Sequence, residues 1–429
     1  MCTSPGVRGK TSLGNGNRRW SVAVAVAVVV ASLAQLLASV AVSADEAPVA
    51  SFIEQGKAGL DLRYRYEHVD QDDFSRAADA STLRLRLNYQ IGAVRGVSGF
   101  VEFDYVAELL LDDFNNGDGS NPARSAYPIV ADPHGDDLNQ LYVDFNNGER
   151  FSARLGRQRI LLDNQRFVGG VGWRQNEQTY DGLTLTLTDV LNATVRYSGI
   201  SRVKRIFGER SPAGSHDASI HLLNVTVPLQ KQWTATPYAY LIDNDDAPQL
   251  STATYGVRLN GSTALAKRPL SLTVDVATQS DAGNAPLAFR ANYLRLDAGL
   301  KLTSTIDLGL GYELLGGNSS EAGKAFRTPL ATLHAFQGWA DKFLATPDAG
   351  VVDTFGTLRV THEAWTITGA IHFFDVDSGN ASLGKELDVS VGRRFATRYQ
   401  LLLKAAFFDA ESAMLTDSSK LWLMLSASF

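Results

Sequence analysis

Much of the chain alternates apolar and polar residues with a period of two. Leu183, Leu185 and Leu187 alternate with Thr184, Thr186 and Thr188, and Phe151, Ala153 and Leu155 alternate with Ser152 and Arg154. A period of two sends successive side chains to opposite faces and predicts half-buried strands. The same pattern sets Leu60, Leu62, Tyr64 and Tyr66 against Asp61, Arg63, Arg65 and Glu67. It returns at Leu83–Tyr89, Val101–Tyr105 and Leu141–Phe145, and further strands are expected near 191–199, 218–227, 233–242, 251–260, 269–279, 290–302, 305–315, 350–361, 364–375, 384–394, 398–409 and 419–429. That makes about eighteen.

The connections alternate in length. Gly92–Gly96, Asn146–Glu149, Asp189–Leu191, Leu229–Gln232 and Thr303–Ser304 are short, whereas 110–136, 157–180, 200–217 and 316–349 are long. Short turns on one side, long loops on the other and an even strand count fit a single transmembrane antiparallel β-barrel with both chain ends in the periplasm. One long loop departs from the strand rhythm. In 328–344 a Thr328-Pro329 start and Leu330, Leu333, Phe336, Ala340 and Phe343 at three- to four-residue spacing predict a short helix.

Alternation alone leaves open which face meets water. A soluble barrel would bury its leucines, and a membrane barrel would turn them to lipid. The N-terminus favours the membrane. Arg8, Lys10, Arg18 and Arg19 precede an apolar run from Ser21 to Val42, with small residues at Val42 and Ala44, which reads as a secretory signal peptide over 1–44. An uncleaved membrane anchor is the other reading of that run. Removing four basic and no acidic residues takes the net charge from −6 to −10 over residues 45–429, and takes the only cysteine, Cys2, with it. Disulfides then contribute nothing to an exported chain, and a closed hydrogen-bonded barrel is the natural source of stability. Tyr64, Tyr66, Tyr89, Tyr105, Tyr197 and Tyr312 near strand ends suit an aromatic girdle, and the strand ending Leu421, Leu423, Leu425, Ala427 and Phe429 resembles the terminal signal read by the barrel-assembly machinery of outer membranes.

Two long stretches, GRQRILLDNQRFVGGVGWRQNEQTYDG (156–182) and FRTPLATLHAFQGWADKFL (326–344), resemble the alginate export porins of Gram-negative outer membranes, as do the strands between them more diffusely. The resemblance implies an 18-stranded monomeric barrel that passes an anionic polyuronate through an Arg-lined constriction. Since a fold carries over better than a substrate, other anionic solutes stay open.

Arginine suits such a solute, because its planar fork binds a carboxylate at two points and stays charged. Alternation places Arg63, Arg65, Arg84, Arg86, Arg154, Arg196, Arg258, Arg295, Arg359 and Arg394 inward, joined by Lys301 and Lys404. Arg157, Arg159, Arg166 and Arg174 belong to a central loop able to fold inward. Inward acids are as numerous, among them Glu67, Glu102, Asp104, Asp275, Glu313 and Asp353, so the opposing expectation is a ladder of cross-strand pairs that braces the wall. An anion-preferring lumen is expected from the arginines together.

Other chemistry finds little support. Ser215, His216 and Asp217 are sequence neighbours and cannot form a Ser–His–Asp triad with one another, and the seven histidines lack zinc spacing. The acidic stretches Asp112–Asp118 and Asp243–Asp246 lack the calcium-loop pattern, although loosely held Ca²⁺ is compatible with them. No cofactor, catalysis or nucleic acid is expected; the partners expected are lipid, lipopolysaccharide, an anionic solute, the assembly machinery and a periplasmic export partner. Weaker alternatives are a channel for small non-saccharide solutes, an outer-membrane hydrolase and a plugged structural barrel.

Overall fold

The computed structural model describes residues 55–429 except 120, 121, 149 and 231. The expected signal peptide and Cys2 lie outside the described residues. Eighteen strands follow in order: β1 (Lys57–Gln71), β2 (Ala78–Val94), β3 (Val97–Asp113), β4 (Gly135–Asn146), β5 (Phe151–Gln158), β6 (Thr179–Val190), β7 (Ala193–Lys204), β8 (Ser215–Pro228) and β9 (Trp233–Asn244). The second half holds β10 (Thr252–Leu265), β11 (Arg268–Asp281), β12 (Arg290–Lys301), β13 (Ile306–Leu315), β14 (Val351–His362), β15 (Trp365–Asp375), β16 (Ser382–Phe395), β17 (Tyr399–Ala410) and β18 (Ser418–Ser428).

Each strand pairs antiparallel with its sequence neighbours, and β1 closes on β18 from Asp61 opposite Ser428 to Gln71 opposite Ser418. Leu60 and Phe429 exchange backbone hydrogen bonds at 3.1 and 2.9 Å, which brings the start of β1 and the end of β18 together at the short-turn side. Closure leaves no unpaired sheet edge among the described residues. Several short turns run through left-handed residues, such as Leu191 with Asn192 and Ala266 with Lys267, a geometry whose twist matches that of the flanking strands.

The leucine rows face outward. Leu141, Leu155, Leu310, Leu358, Leu387 and Leu403 are exposed, Leu310 at 71%, with aromatic Phe103, Tyr105, Phe373 and Phe407 among them. An apolar band of this extent is at odds with water and is the lipid-facing surface of a barrel. Among the described residues no helix is long and apolar enough to cross a membrane; the strands do so.

One expectation changes. The segment 328–344 forms no α-helix, only a single 3-10 turn at Leu333–Ala335. Gln337 and Asp341 adopt left-handed φ of 57° and 61°, which interrupts any helix, and the amides turn elsewhere: Thr332 N donates to Gln165 O, and Ala340 N donates to Glu386 Oε1 at 2.7 Å. Nor is the lumen uniformly wet. Tyr238, Tyr240, Tyr293, Phe374, Phe408 and Trp422 point inward from the wall and pack with Tyr180 and with Phe326, Leu330 and Phe343 of the long loop 316–350 in one buried cluster. Strands such as 238–242 are apolar on both faces near their outer ends, so alternation there does not distinguish lipid from loop.

Candidate functional site

The loop between β5 and β6 folds into the barrel. It joins the loop 316–350 there through a parallel bridge between Val168 and Leu330, and Gly169 N donates to Leu330 O at 2.8 Å. A Cβ on Gly169 would stand 2.2 Å from Thr332 Oγ1, so this close approach requires glycine. Tyr180 hydroxyl donates to Gly169 O at 2.8 Å and closes the seam.

Seven of the fourteen arginines expected to line the pore hold this loop to the wall. Arg63 donates to Gln175 Oε1 at 2.9 Å, to Gly172 O at 2.9 Å and to Arg174 O. Arg65 pairs with Asp132 at 3.0 Å, donates to Trp173 O and lies over the Trp173 ring at 4.4 Å. Arg84 faces Gln175 O at 3.5 Å, and Arg86 forks onto Asp104 at 2.6 Å while reaching Glu177 at 2.9 Å. Arg159 binds Glu102 at 2.5 Å and also pairs with Glu177. From the loop, Arg174 pairs with Glu67 at 3.0 Å and Arg166 with Glu313 at 2.8 Å.

The loop charges respond to this setting. Burial works to raise the Glu177 carboxyl, but Arg86 and Arg159 outweigh it and hold it at about 2. Asp132 is held low against the same burial by Arg65 and Arg174. The Arg174 guanidinium is raised: burial opposes the charge, and Glu67, Asp132 and Asp341 overcome it. Burial pushes His334 down to about 3. A neutral ring fits its contacts, with Nδ1 donating to Asp341 at 2.7 Å and Nε2 accepting from Lys404 Nζ at 2.6 Å. That Nζ sits over Trp339 at 3.8 Å and Trp173 at 4.3 Å.

The remaining arginines divide by register. Arg154 forks onto Asp144 at 2.7 and 2.9 Å and stacks over Tyr142 at 3.9 Å. Arg258 braces against Asp275 at 2.8 Å and Arg295 against Asp297 at 2.8 Å. Arg157 is a correction. It belongs to β5, opposite Leu141 and Asp181, on the row where Leu141 faces lipid, and it pairs with Asp181 at 2.7 Å outside the lumen. Arg196, Arg359 and Arg394 face inward near the short-turn end and lack an ion-pair partner among the described residues. Alternation could not reveal the loop-to-wall partners Asp132, Asp341 and His334, since nothing periodic marks a loop residue that docks on a distant strand; the left-handed φ of Asp341 becomes visible only in the fold.

Two cavities flank the inserted loop. The inner one, about 630 Å³, opens toward the short turns and is lined by Arg154, Arg159, Arg196, Gln140, Tyr142 and Asp144, with Ser98, Gln158, Thr184 and Thr186 around them. The outer one, about 540 Å³, lies among the long loops, with Phe74, Ile129, Phe207 and Leu344 on its walls and Arg174, Arg205 and Lys420 beside them. Among the described residues no group of three or more His, Cys, Asp or Glu is arranged to hold a metal ion. The acidic stretches use their oxygens internally: Asn116 Nδ2 donates to Asp118 at 3.0 Å, and Asp243 accepts from Asn284 N at 3.1 Å.

A lipid-facing eighteen-strand barrel with inner and outer vestibules around an inserted loop defines an outer-membrane porin of a Gram-negative cell. Residues 55–293 match the alginate export family, and the chain belongs to it. Its fold is similar to that of OccAB4 from Acinetobacter baumannii, with a TM-score of 0.69 at 12% identity over 87% of this chain and 98% of that one. It is likewise similar to OccK9 (OpdG) from Pseudomonas aeruginosa, with 0.67 at 17% identity over 88% and 99%, and to OpdK from the same organism solved with vanillate, with 0.66 at 11% identity over 88% and 99%. No curated protein matches the chain.

Proposed function

We propose that the barrel gives passive, anion-preferring passage to an acidic polysaccharide of the polyuronate type. The inner vestibule carries this reading. It sets Arg154, Arg159 and Arg196 against one vestibule acid, Asp144, among amides, hydroxyls and the Tyr142 and Phe100 rings. Guanidinium forks meet carboxylates at two points, amides and hydroxyls meet sugar hydroxyls, and ring faces accept the apolar face of a pyranose. Passage follows the solute gradient and needs no bond to be made or broken, so the barrel acts as a conduit and not as an enzyme. In this reading Arg63, Arg65, Arg84, Arg86, Arg166 and Arg174 position the loop that narrows the pore. Arg258 and Arg295 stiffen the wall, and Arg154, Arg159, Arg196, Arg359 and Arg394 meet the solute. Residues 1–44 act as the export signal, and no bound cofactor takes part.

A second reading, passage of a small non-saccharide anion, rests on the outer vestibule, whose walls are mostly apolar and suit a compact solute better than a sugar chain. OpdK, of the same fold, was solved with one such small acid, vanillate. Block of single-channel current separates the two. Oligouronates blocking at lower concentration than neutral oligosaccharides of equal length, and than small aromatic acids, supports the first reading; stronger block by small acids supports the second.

A further inference from the structure

Five inward-facing cations stand apart from the tethered arginines. Lys57 is the first residue of β1 and Lys301 the last of β12; Arg394 is the last but one of β16. Arg196 is the fourth residue of β7, and Arg359 is fourth from the end of β14. Register fixes their faces. Lys57 lies on the face of Asp61 and Arg63, and Arg196 is opposite Thr186 of the inner vestibule. Lys301 is opposite Asp307, which is itself opposite Arg359, and Arg394 alternates from Glu386 and Asp388. All five are exposed, and none of their side chains makes a hydrogen bond or ion pair within the described residues. They form a collar at the short-turn end, which is the periplasmic end.

Few charges of opposite sign share that band. Asp144 is forked by Arg154, Asp307 sits between two of the cations, and Asp61 accepts from Ser428 Oγ at 2.5 Å. The turns add Lys267, Arg268 and Arg398 against Asp189 and Glu363. At the opposite end acids predominate, with Asp72, Asp73, Asp136, Asp245, Asp246 and Asp417 on or beside the long loops. The potential therefore falls from positive at the periplasmic mouth to negative at the outer one. Cations that are spent on no internal partner, set around an opening, raise the local concentration of anions and speed their capture.

We propose that the collar is a capture site for carboxylate-bearing chains arriving from the periplasm, so that a polyanion enters the barrel faster from that side. The acidic outer rim opposes recapture of a chain that has passed. This rests on the anionic-solute reading above and adds a direction of entry to it.

The test is single-channel recording in planar bilayers with a defined oligouronate added to one chamber at a time. Orientation is reported by Asp245→Cys, an exposed outer-loop position, through its reaction with a membrane-impermeant thiol reagent. At about 0.1 M salt the rate of block from the periplasmic chamber is expected to exceed that from the other by about tenfold, and to fall toward parity at about 1 M, where the screening length shrinks to about 3 Å. Neutralising Arg196→Gln, Lys301→Gln, Arg359→Gln and Arg394→Gln together removes the difference, whereas Arg196→Lys, Arg359→Lys and Arg394→Lys retain it. Heat-modifiable gel mobility confirms the folded barrel; if the neutralised chain fails to fold, Lys301→Gln alone and the salt dependence of the native barrel decide. Equal rates from both sides, or a difference that survives neutralisation, overturn the collar. Reversal potential on the same channels separates the two claims: an anion-preferring channel with equal rates sinks the collar alone, and a cation-preferring one sinks the anionic-solute reading.

Discussion

Arg166 crosses the lumen from the inserted loop and donates its Nε hydrogen to Glu313 Oε1 of β13 at 2.8 Å, with both side chains closed to solvent. Glu313 also accepts from the Tyr293 hydroxyl at 2.8 Å and lies 3.3 Å from Arg295. The pair therefore ties the loop to the wall opposite the one held by Arg63, Arg65 and Arg86. Breaking a buried pair by removing one partner costs about 3–5 kcal/mol, because the other charge is left behind. Arg166→Ala is expected to lower the thermal transition in detergent and to make single-channel current noisy as the loop loosens. Arg196→Ala, which removes an exposed side chain, should change stability by no more than about 0.5 kcal/mol. A quiet, fully stable Arg166→Ala channel would contradict the tether.

Selectivity should follow the register. Arg159→Gln with Arg196→Gln removes two cations from the inner vestibule and frees Glu102 and Glu177 from one partner, so the reversal potential should move toward cation preference. Arg157→Gln changes a residue on the lipid-side row and should leave selectivity as it is. A shift caused by Arg157→Gln equal to that of the double variant would contradict the assignment of faces.

The loop carries its own pH dependence. His334 is held neutral, and its folded value of about 3 lies below the ordinary histidine range. An unfolded or undocked His334 takes up its proton near pH 6.5, so its contribution is complete above that pH and is lost as pH falls from about 6.5 toward 3. Glu177, also held low at about 2, loses its contribution only from about pH 4.3 downward. The native channel should thus grow noisier in two stages on acidification, and His334→Gln should remove the first. A noise profile that is flat from pH 7 to pH 4 would contradict the His334 stage.

The two faces of the wall should respond oppositely to charge. Leu310→Arg places a cation on the exposed lipid row in the middle of β13 and is expected to cost about 2–4 kcal/mol. Thr184→Arg, on the inner vestibule, should be tolerated and should reduce unit conductance. Equal thermal shifts from the two would argue against an apolar exterior.

How far the fold is legible in the sequence depends on where a constraint is written. Rows such as Leu183, Leu185 and Leu187 against Thr184, Thr186 and Thr188 state it residue by residue, so strand number, order and the faces of Arg63, Arg86 and Arg258 can be read directly. Gly156 and the neighbouring charges suggest a loop at Arg157, whereas the ladder continues to Gln158. Residues 328–344 mimic a helix because Leu330, Leu333, Phe336 and Phe343 repeat at helical spacing. In the fold three of these, Leu330, Phe336 and Phe343, are buried by a non-helical path whose amides bond to Gln165, Thr328 and Glu386. The division of arginines into tethers, braces and open cations depends on contacts between residues more than a hundred positions apart, such as Arg63 with Gln175. No local pattern encodes such a pair.

With the leucines turned outward, an arginine-bearing inner surface is left to conduct anions, and this property can be measured. It is tested most directly by the reversal potential of single channels in a planar bilayer under a steep KCl gradient. Discrete conductance steps and a potential of the sign set by chloride are expected. A potential set by potassium, or a folded barrel that inserts without any steps, would contradict it.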